Sequence, residues 1–156
     1  MIQSILAAVD TSPRAPGVLA VAREFGKRFG ARVHLYRVVH VPPDIPAAGH
    51  SDDDRGQERM RERAASDLAI LAGALGDLVV EPPELSDVPP WRAILAAADR
   101  LDVDLIIVGS HGFSGLDYIL GTNAARVVNF GSRNVFVVHE KGQSHPPALG
   151  GGPPWQ

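Results

Sequence analysis

Cysteine is absent from all 156 residues, which excludes thiol nucleophiles, cysteine zinc sites and iron–sulfur clusters and fits a reducing compartment. The absence is not a handicap, because a chain of this length buries roughly two thirds of the surface it exposes when unfolded. Long apolar runs are missing too. None approaches the ~20 residues of a membrane span, and residues 1–9 carry no basic stretch before the charged turn at Asp10, so neither a signal peptide nor a membrane segment is expected. Charge of one sign is scarce: 15 basic and 18 acidic side chains give a net charge of −3 with no long basic block, so no nucleic-acid footprint is expected. The six histidines, His34, His40, His50, His111, His139 and His145, show no metal-ligand spacing. The expectation is a soluble cytoplasmic protein with no metal site of its own.

What is present is an alternation. Short runs rich in Ile, Val and Leu occupy 2–9, 32–39, 78–81, 105–108 and 134–138. Between them, Val18, Val21, Ala22, Phe25 and Phe29 recur at helical spacing before Gly30, and Met60, Ala64, Leu68, Leu71 and Leu75 do so before Gly76. Helices are also expected from about Pro90 to Leu101, with proline in the first turn, and from about Thr122 to Phe130, stopped by Gly131. Strands that are continuously apolar and separated by helices imply a parallel sheet covered on both faces. The class is therefore α/β, with five strands and four helices in one domain over residues 1–140. Two stretches fall outside the alternation. Residues 41–56 (VPPDIPAAGHSDDDRG) read as a mobile loop, and 141–156, rich in Gly and Pro, as a flexible tail.

The segment from Leu105 to Asn123, LIIVGSHGFSGLDYILGTN, carries the most chemistry. A buried strand ends at Val108, Gly109, Gly112 and Gly115 follow, and Gly121 and Thr122 open a helix. Glycines let a ligand approach main-chain N–H groups, and a helix N-terminus adds donors and partial positive charge. The segment is thus either an anion cradle or a tight strand-to-helix turn. It is neither a Walker A loop, since the lysine is missing, nor a G-x-G-x-x-G fingerprint. The first strand ends in Val9-Asp10-Thr11-Ser12, which places a carboxylate and two hydroxyls at the carboxyl edge, where open α/β sheets bind ligands. Asp10 can equally be a turn former or helix cap, and the two roles are compatible.

The stretch from Leu105 to Val138 resembles the C-terminal signature of the universal stress protein family. Gly109-Ser110-His111-Gly112 matches its G-x-x-G, Gly121-Thr122 its G-[S/T], and Asn134 to Val138 its closing strand. The opening ILAAVDTS is similar to the family's first strand and acidic turn, and LYRVVHV to its second strand. The likeness runs in order over about residues 1–140. It implies an open five-stranded parallel sheet of order 3-2-1-4-5 with helices on both faces, and ATP, accompanied by Mg2+ where the nucleotide brings it, in the crevice beside the first strand. Carried over residue by residue, it implies Asp10 and Thr11 near ribose or phosphate and Val38 against adenine. Val108, Gly109 and Gly112 would form the wall and phosphate loop, and Gly121, Thr122 and Asn123 would hold phosphates. Eight residues, 113–120, separate Gly112 from Gly121, one fewer than in the family's pattern, and Val88-Pro89-Pro90 stands where relatives often carry Gly-x-Pro.

The resemblance implies a stress-response module that binds an adenine nucleotide. No nucleophile–base pair is visible, so enzymatic activity would be at most slow ATP hydrolysis; a member that binds no nucleotide and acts through dimer or partner contacts is the alternative. A phosphoacceptor receiver is set aside, because Asp10 has no acidic neighbour and 78–81 leads into Pro82-Pro83. In order 3-2-1-4-5 the strand Asn134 to Val138 is an apolar edge, and a homodimer through it is expected.

Overall fold

A strand whose alternate side chains are all apolar is stable only if both faces of its sheet are covered, and the central strand shows that arrangement. In the computed structural model, which describes residues 1–41, 50–73, 78–110 and 122–139, with side chains from 55 onward in the second stretch, β1 (Ser4–Ala8) sends Ile5 and Ala7 to one face and Leu6 and Ala8 to the other. On the first face Ile5 and Ala7 meet Val18, Leu19 and Ala22 of α1 (Ala15–Phe29) and Leu68 of α2 (His50–Gly73). On the second, Leu6 and Ala8 meet Ile94, Ala97 and Ala98 of α3 (Pro90–Arg100) and Ala124 and Val127 of α4 (Thr122–Phe130). Helix α1 ends where expected: Gly30 adopts φ 63°, a left-handed cap that a side chain would strain, and Ala31 N–H bonds the carbonyl of Gly26 at 2.9 Å.

The remaining strands are β2 (Arg32–Tyr36), β3 (Val38–His40), β4 (Val79–Val80), β5 (Glu84–Ser86), β6 (Leu105–Gly109) and β7 (Asn134–Val138). All pairings are parallel, and the main sheet runs β4-β2-β1-β6-β7. Counting its five strands in chain order gives 3-2-1-4-5, as expected.

Three expectations need correction. The run 32–39 is not one strand: after Tyr36, whose carbonyl takes Val9 N–H at 2.9 Å, the chain leaves the main sheet and pairs as β3 with β5 in a second, two-stranded sheet. Arg37 marks the break, holding Asp67 of α2 at 2.8 Å while its carbonyl accepts Glu84 N–H at 3.0 Å. The third strand of the sheet shrinks to Val79–Val80, because Pro82 and Pro83 cannot donate to a ladder. His34, only 7% exposed on β2, reaches across to Glu81 at 2.7 Å and ties this short edge down. Helix α2 starts at His50, so residues 50–56 of the expected loop are helical. Apolar spacing shows only the turns that touch the sheet; the earlier turns are polar, with Arg61 and Glu58 paired at 2.7 Å. Residues 42–49 of that loop and the tail 141–156 lie outside the described residues.

Candidate functional site

The order of the sheet reverses beside β1. The chain builds outward through β2 and β4 on one side, then continues with β6 and β7 on the other, and in open α/β sheets such a reversal leaves a crevice at the carboxyl ends of the strands. The register pairs Ala8 with Val108, so β1 and β6 end level and their following residues face one another.

A turn of side-chain hydrogen bonds shapes the β1 side. Asp10 Oδ1 accepts Ser12 N–H at 2.9 Å, Ser12 Oγ accepts Arg14 N–H at 3.3 Å, and the Ser12 carbonyl accepts Ala15 N–H at 3.1 Å as α1 begins. Asp10 is therefore a turn former, with its carboxylate at the exposed mouth of the crevice. On the β6 side, Ser110 is held at both backbone groups: its N–H donates to the Val138 carbonyl at 2.8 Å, and its carbonyl accepts from Arg14 Nη1. Between the two sides lies a cavity of about 30 Å³ lined by Val9, Asp10, Ser12, Arg14, Ala15, Val18 and Gly109. That is about the share of one water molecule. The backbone passes close to α1 at Gly109: a Cβ there would stand 3.3 Å from Val18 Cγ2, a tight contact, and 3.9 Å from Arg14 Cβ, an ordinary one.

Of the residues singled out in the sequence, Asp10 and Gly109 line this one cavity, and Thr11 lies exposed between Asp10 and Ser12. The Val108 side chain is 5% exposed and belongs to the core on the α3 and α4 side, so it can offer the crevice its backbone only. Val38 is half-buried at the start of β3, two residues past the Tyr36 that bonds Val9, which puts it at the same edge of the sheet but outside the cavity's lining. Thr122 and Asn123 are exposed in the first turn of α4. Gly112 and Gly121 lie outside the described residues, as do His111, Phe113 and Tyr118. Arg14 was missed by sequence reasoning. Its signal was a cation four residues after Asp10 at the start of a helix, where the macrodipole disfavours positive charge unless something compensates.

A larger cavity, about 420 Å³, opens at the opposite end of the sheet among Met1, Ile2, Asp104 and residues 131–134. Its charges are already engaged. Asp104 accepts Gln3 N–H at 2.7 Å and Ser4 N–H at 3.0 Å, and these bonds hold its carboxyl below the usual range. Arg133 holds Asp102 at 3.1 Å and Asp99 at 3.5 Å. Among the described residues no group of three His, Asp or Glu side chains could hold a metal ion, and no helix is long and apolar enough to cross a membrane.

The fold has counterparts among known proteins. The chain is 32% identical over 142 residues to the universal stress protein A homolog 1 of Coxiella burnetii, covering 88% of this chain and 96% of that one. Among solved structures, a universal stress protein in complex with cAMP superposes with a TM-score of 0.60 at 20% identity, covering 88% of this chain and 97% of that one. The universal stress protein of Archaeoglobus fulgidus in complex with dAMP gives a TM-score of 0.56, also at 20% identity and with the same two coverages. The model of the universal stress protein family matches residues 1–139, the whole span from β1 through β7 that builds the reversal and its crevice, and the chain belongs to that family.

Proposed function

We propose that this protein is a cytoplasmic stress-response module that binds an adenine nucleotide, ATP in the first place, in the crevice between the ends of β1 and β6. The observation that carries the reading is the meeting of Asp10, Arg14 and Gly109 around one cavity at the point where the strand order reverses. Two related structures, described as complexes with cAMP and dAMP, support an adenine nucleotide as the ligand class. In this reading Asp10 and Thr11 meet ribose or phosphate, Val38 meets adenine, and Val108 lends backbone. Gly109, Gly112, Gly121, Thr122 and Asn123 cradle phosphates with main-chain donors and the N-terminus of α4. Arg14, whose guanidinium bonds the Ser110 carbonyl, adds the one charge the sequence reading lacked, a cation lining the cavity. Any Mg2+ arrives with the nucleotide.

Calorimetric titration with ATP and adenosine tests the reading. ATP should bind more tightly than adenosine, and Gly112→Val should weaken ATP at least about tenfold, roughly 1.4 kcal/mol, by blocking backbone approach. Arg14→Ala should weaken ATP severalfold and leave adenosine nearly unchanged. Equal and millimolar binding of both ligands by all three proteins would refute it and favour the nucleotide-free reading, to which the one-residue shortening between Gly112 and Gly121 points.

The same reading makes the protein a homodimer through β7. Phe136 on this edge strand is 40% exposed, and two-fold antiparallel pairing of β7 with its copy would satisfy the edge in a closed assembly. Sedimentation at micromolar concentration should show the dimer, and a monomer throughout would remove it.

A further inference from the structure

On the side of the sheet away from α1, the outer surface of α3 and α4 gathers aromatic rings and positive charge. Trp91, in the first turn of α3, packs partly against the core, and its ring lies on that of Phe130, with centroids 5.3 Å apart and planes 31° from parallel. Phe130 is 65% exposed. The guanidinium of Arg92 stands 5.1 Å from the centroid of the Trp91 ring, and that of Arg126, arriving from α4, stands 5.6 Å from the same centroid. Two like charges thus converge on one indole.

Arg28, Arg37, Arg61 and Arg133 each hold a carboxylate within 4 Å; Arg92 and Arg126, like Arg23, Arg32, Arg59 and Arg63, hold none among the described residues, and what sets them apart is the shared Trp91 ring. Trp91 is incomplete as well: its Nε1–H is buried and finds no acceptor there. Exposed aromatic area beside unneutralised guanidinium is the composition of interface hot spots rather than of ordinary solvated surface.

We propose that the Trp91–Arg92–Arg126–Phe130 surface docks an acidic segment of a partner protein, one that sets a carboxylate against the two guanidiniums and an apolar side chain against Phe130. Charge complementarity selects this occupant. A second copy whose two-fold axis passed through the patch would bring the same arginines face to face, which repels. A nucleic acid would need positive charge that continues along the surface, but the neighbouring Arg133 is neutralised by Asp99 and Asp102 on the α3 side. A short acidic segment needs only the two charges present. The patch lies on the outer surface of α3 and α4, apart from the cavity lined by Asp10, Arg14 and Gly109.

The test uses the full chain carrying Trp155→Phe, so that fluorescence reports Trp91 alone. The probes are a synthetic peptide alternating Asp or Glu with Phe and Leu, the same peptide with Asn and Gln in place of its acids, and a single-stranded oligonucleotide. The acidic peptide should change Trp91 emission saturably, at least tenfold more tightly than its amide counterpart, and its affinity should fall with added salt. Combined Arg92→Glu and Arg126→Glu should weaken it at least tenfold, and Phe130→Ala severalfold, with melting temperatures close to the parent's because all three side chains are exposed. Absence of binding at millimolar peptide, equal affinity for both peptides, or indifference to charge reversal would overturn the proposal. So would tighter binding of the oligonucleotide, or self-association of the parent that charge reversal abolishes.

Discussion

Gly26 lies in the interior of α1, where intrinsic propensity favours alanine over glycine by about 1 kcal/mol. On that ground alone Gly26→Ala should stabilise the protein. The packing opposes it, because a Cβ at position 26 would stand 2.6 Å from Val33 Cγ2 and 3.3 Å from the Ala31 carbonyl oxygen. Carbon atoms in contact normally keep about 3.5–4.0 Å apart, so helix or strand must yield by about 1 Å. Val33 is badly placed to yield: it is 3% exposed, β-branched and therefore stiff at χ1, and fixed in β2 opposite Ile5. Forcing an extra methyl into such a place costs about 1–3 kcal/mol, which exceeds the propensity gain and leaves a net loss of about 1 kcal/mol. Val33→Ala removes the obstructing methyl groups. In that background only the 3.3 Å approach to the Ala31 oxygen remains, so Gly26→Ala should stabilise by up to about 1 kcal/mol, and the two positions should couple by up to about 2 kcal/mol. Urea unfolding of the four proteins, followed by far-UV circular dichroism at one pH, measures the cycle. If Gly26→Ala stabilises both backgrounds equally, α1 and β2 are not in the contact described and the reasoning fails.

Two further predictions concern pH. Asp104 titrates below its ordinary value of 3.8 because it accepts the Gln3 and Ser4 N–H groups, so its contribution to stability is complete above about pH 4 and is lost as the pH falls from there toward the folded value; Asp104→Asn should lower the stability at neutral pH and flatten its fall in acid, as acid titration of the melting temperature would show. Burial, and after it the hydrogen bond to Glu84 at 2.7 Å, hold the Tyr36 phenol far above its usual range, so stability drains away once the pH rises past about 10, where the unfolded phenol ionises; Tyr36→Phe should weaken that alkaline loss, and an unchanged alkaline melting profile would contradict it.

How much of this was legible in the sequence depended on which face of each segment touched the core. The sheet's centre was legible, because Ile5 through Ala8 and Leu105 through Val108 are covered on both sides and read as continuous apolar runs. Its periphery was not. Val38 and Val39 look like more of β2, and only tertiary pairing with Glu84 and Leu85 turns them into a separate strand. The first turns of α2, HSDDDRGQER, are polar and left no apolar stripe to read. At the site, Asp10 and Gly109 were legible because strand ends and glycines follow local rules. Arg14 obeys the opposite rule, a cation at a helix N-terminus, and its compensation by the Ser110 carbonyl comes from 96 residues away.

The two edges of the main sheet differ in a way that bears on how many neighbours a copy can take. At β4 the ladder is two residues long and runs straight into Pro82 and Pro83, so it offers too few N–H groups to template another strand. At β7 five residues are in register with β6, and their outer side can accept a strand of equal length. The sheet therefore has a valency of one. In the homodimer proposed through β7 that single edge would be used up at the first encounter, so pairing along this sheet would stop at two copies rather than propagate.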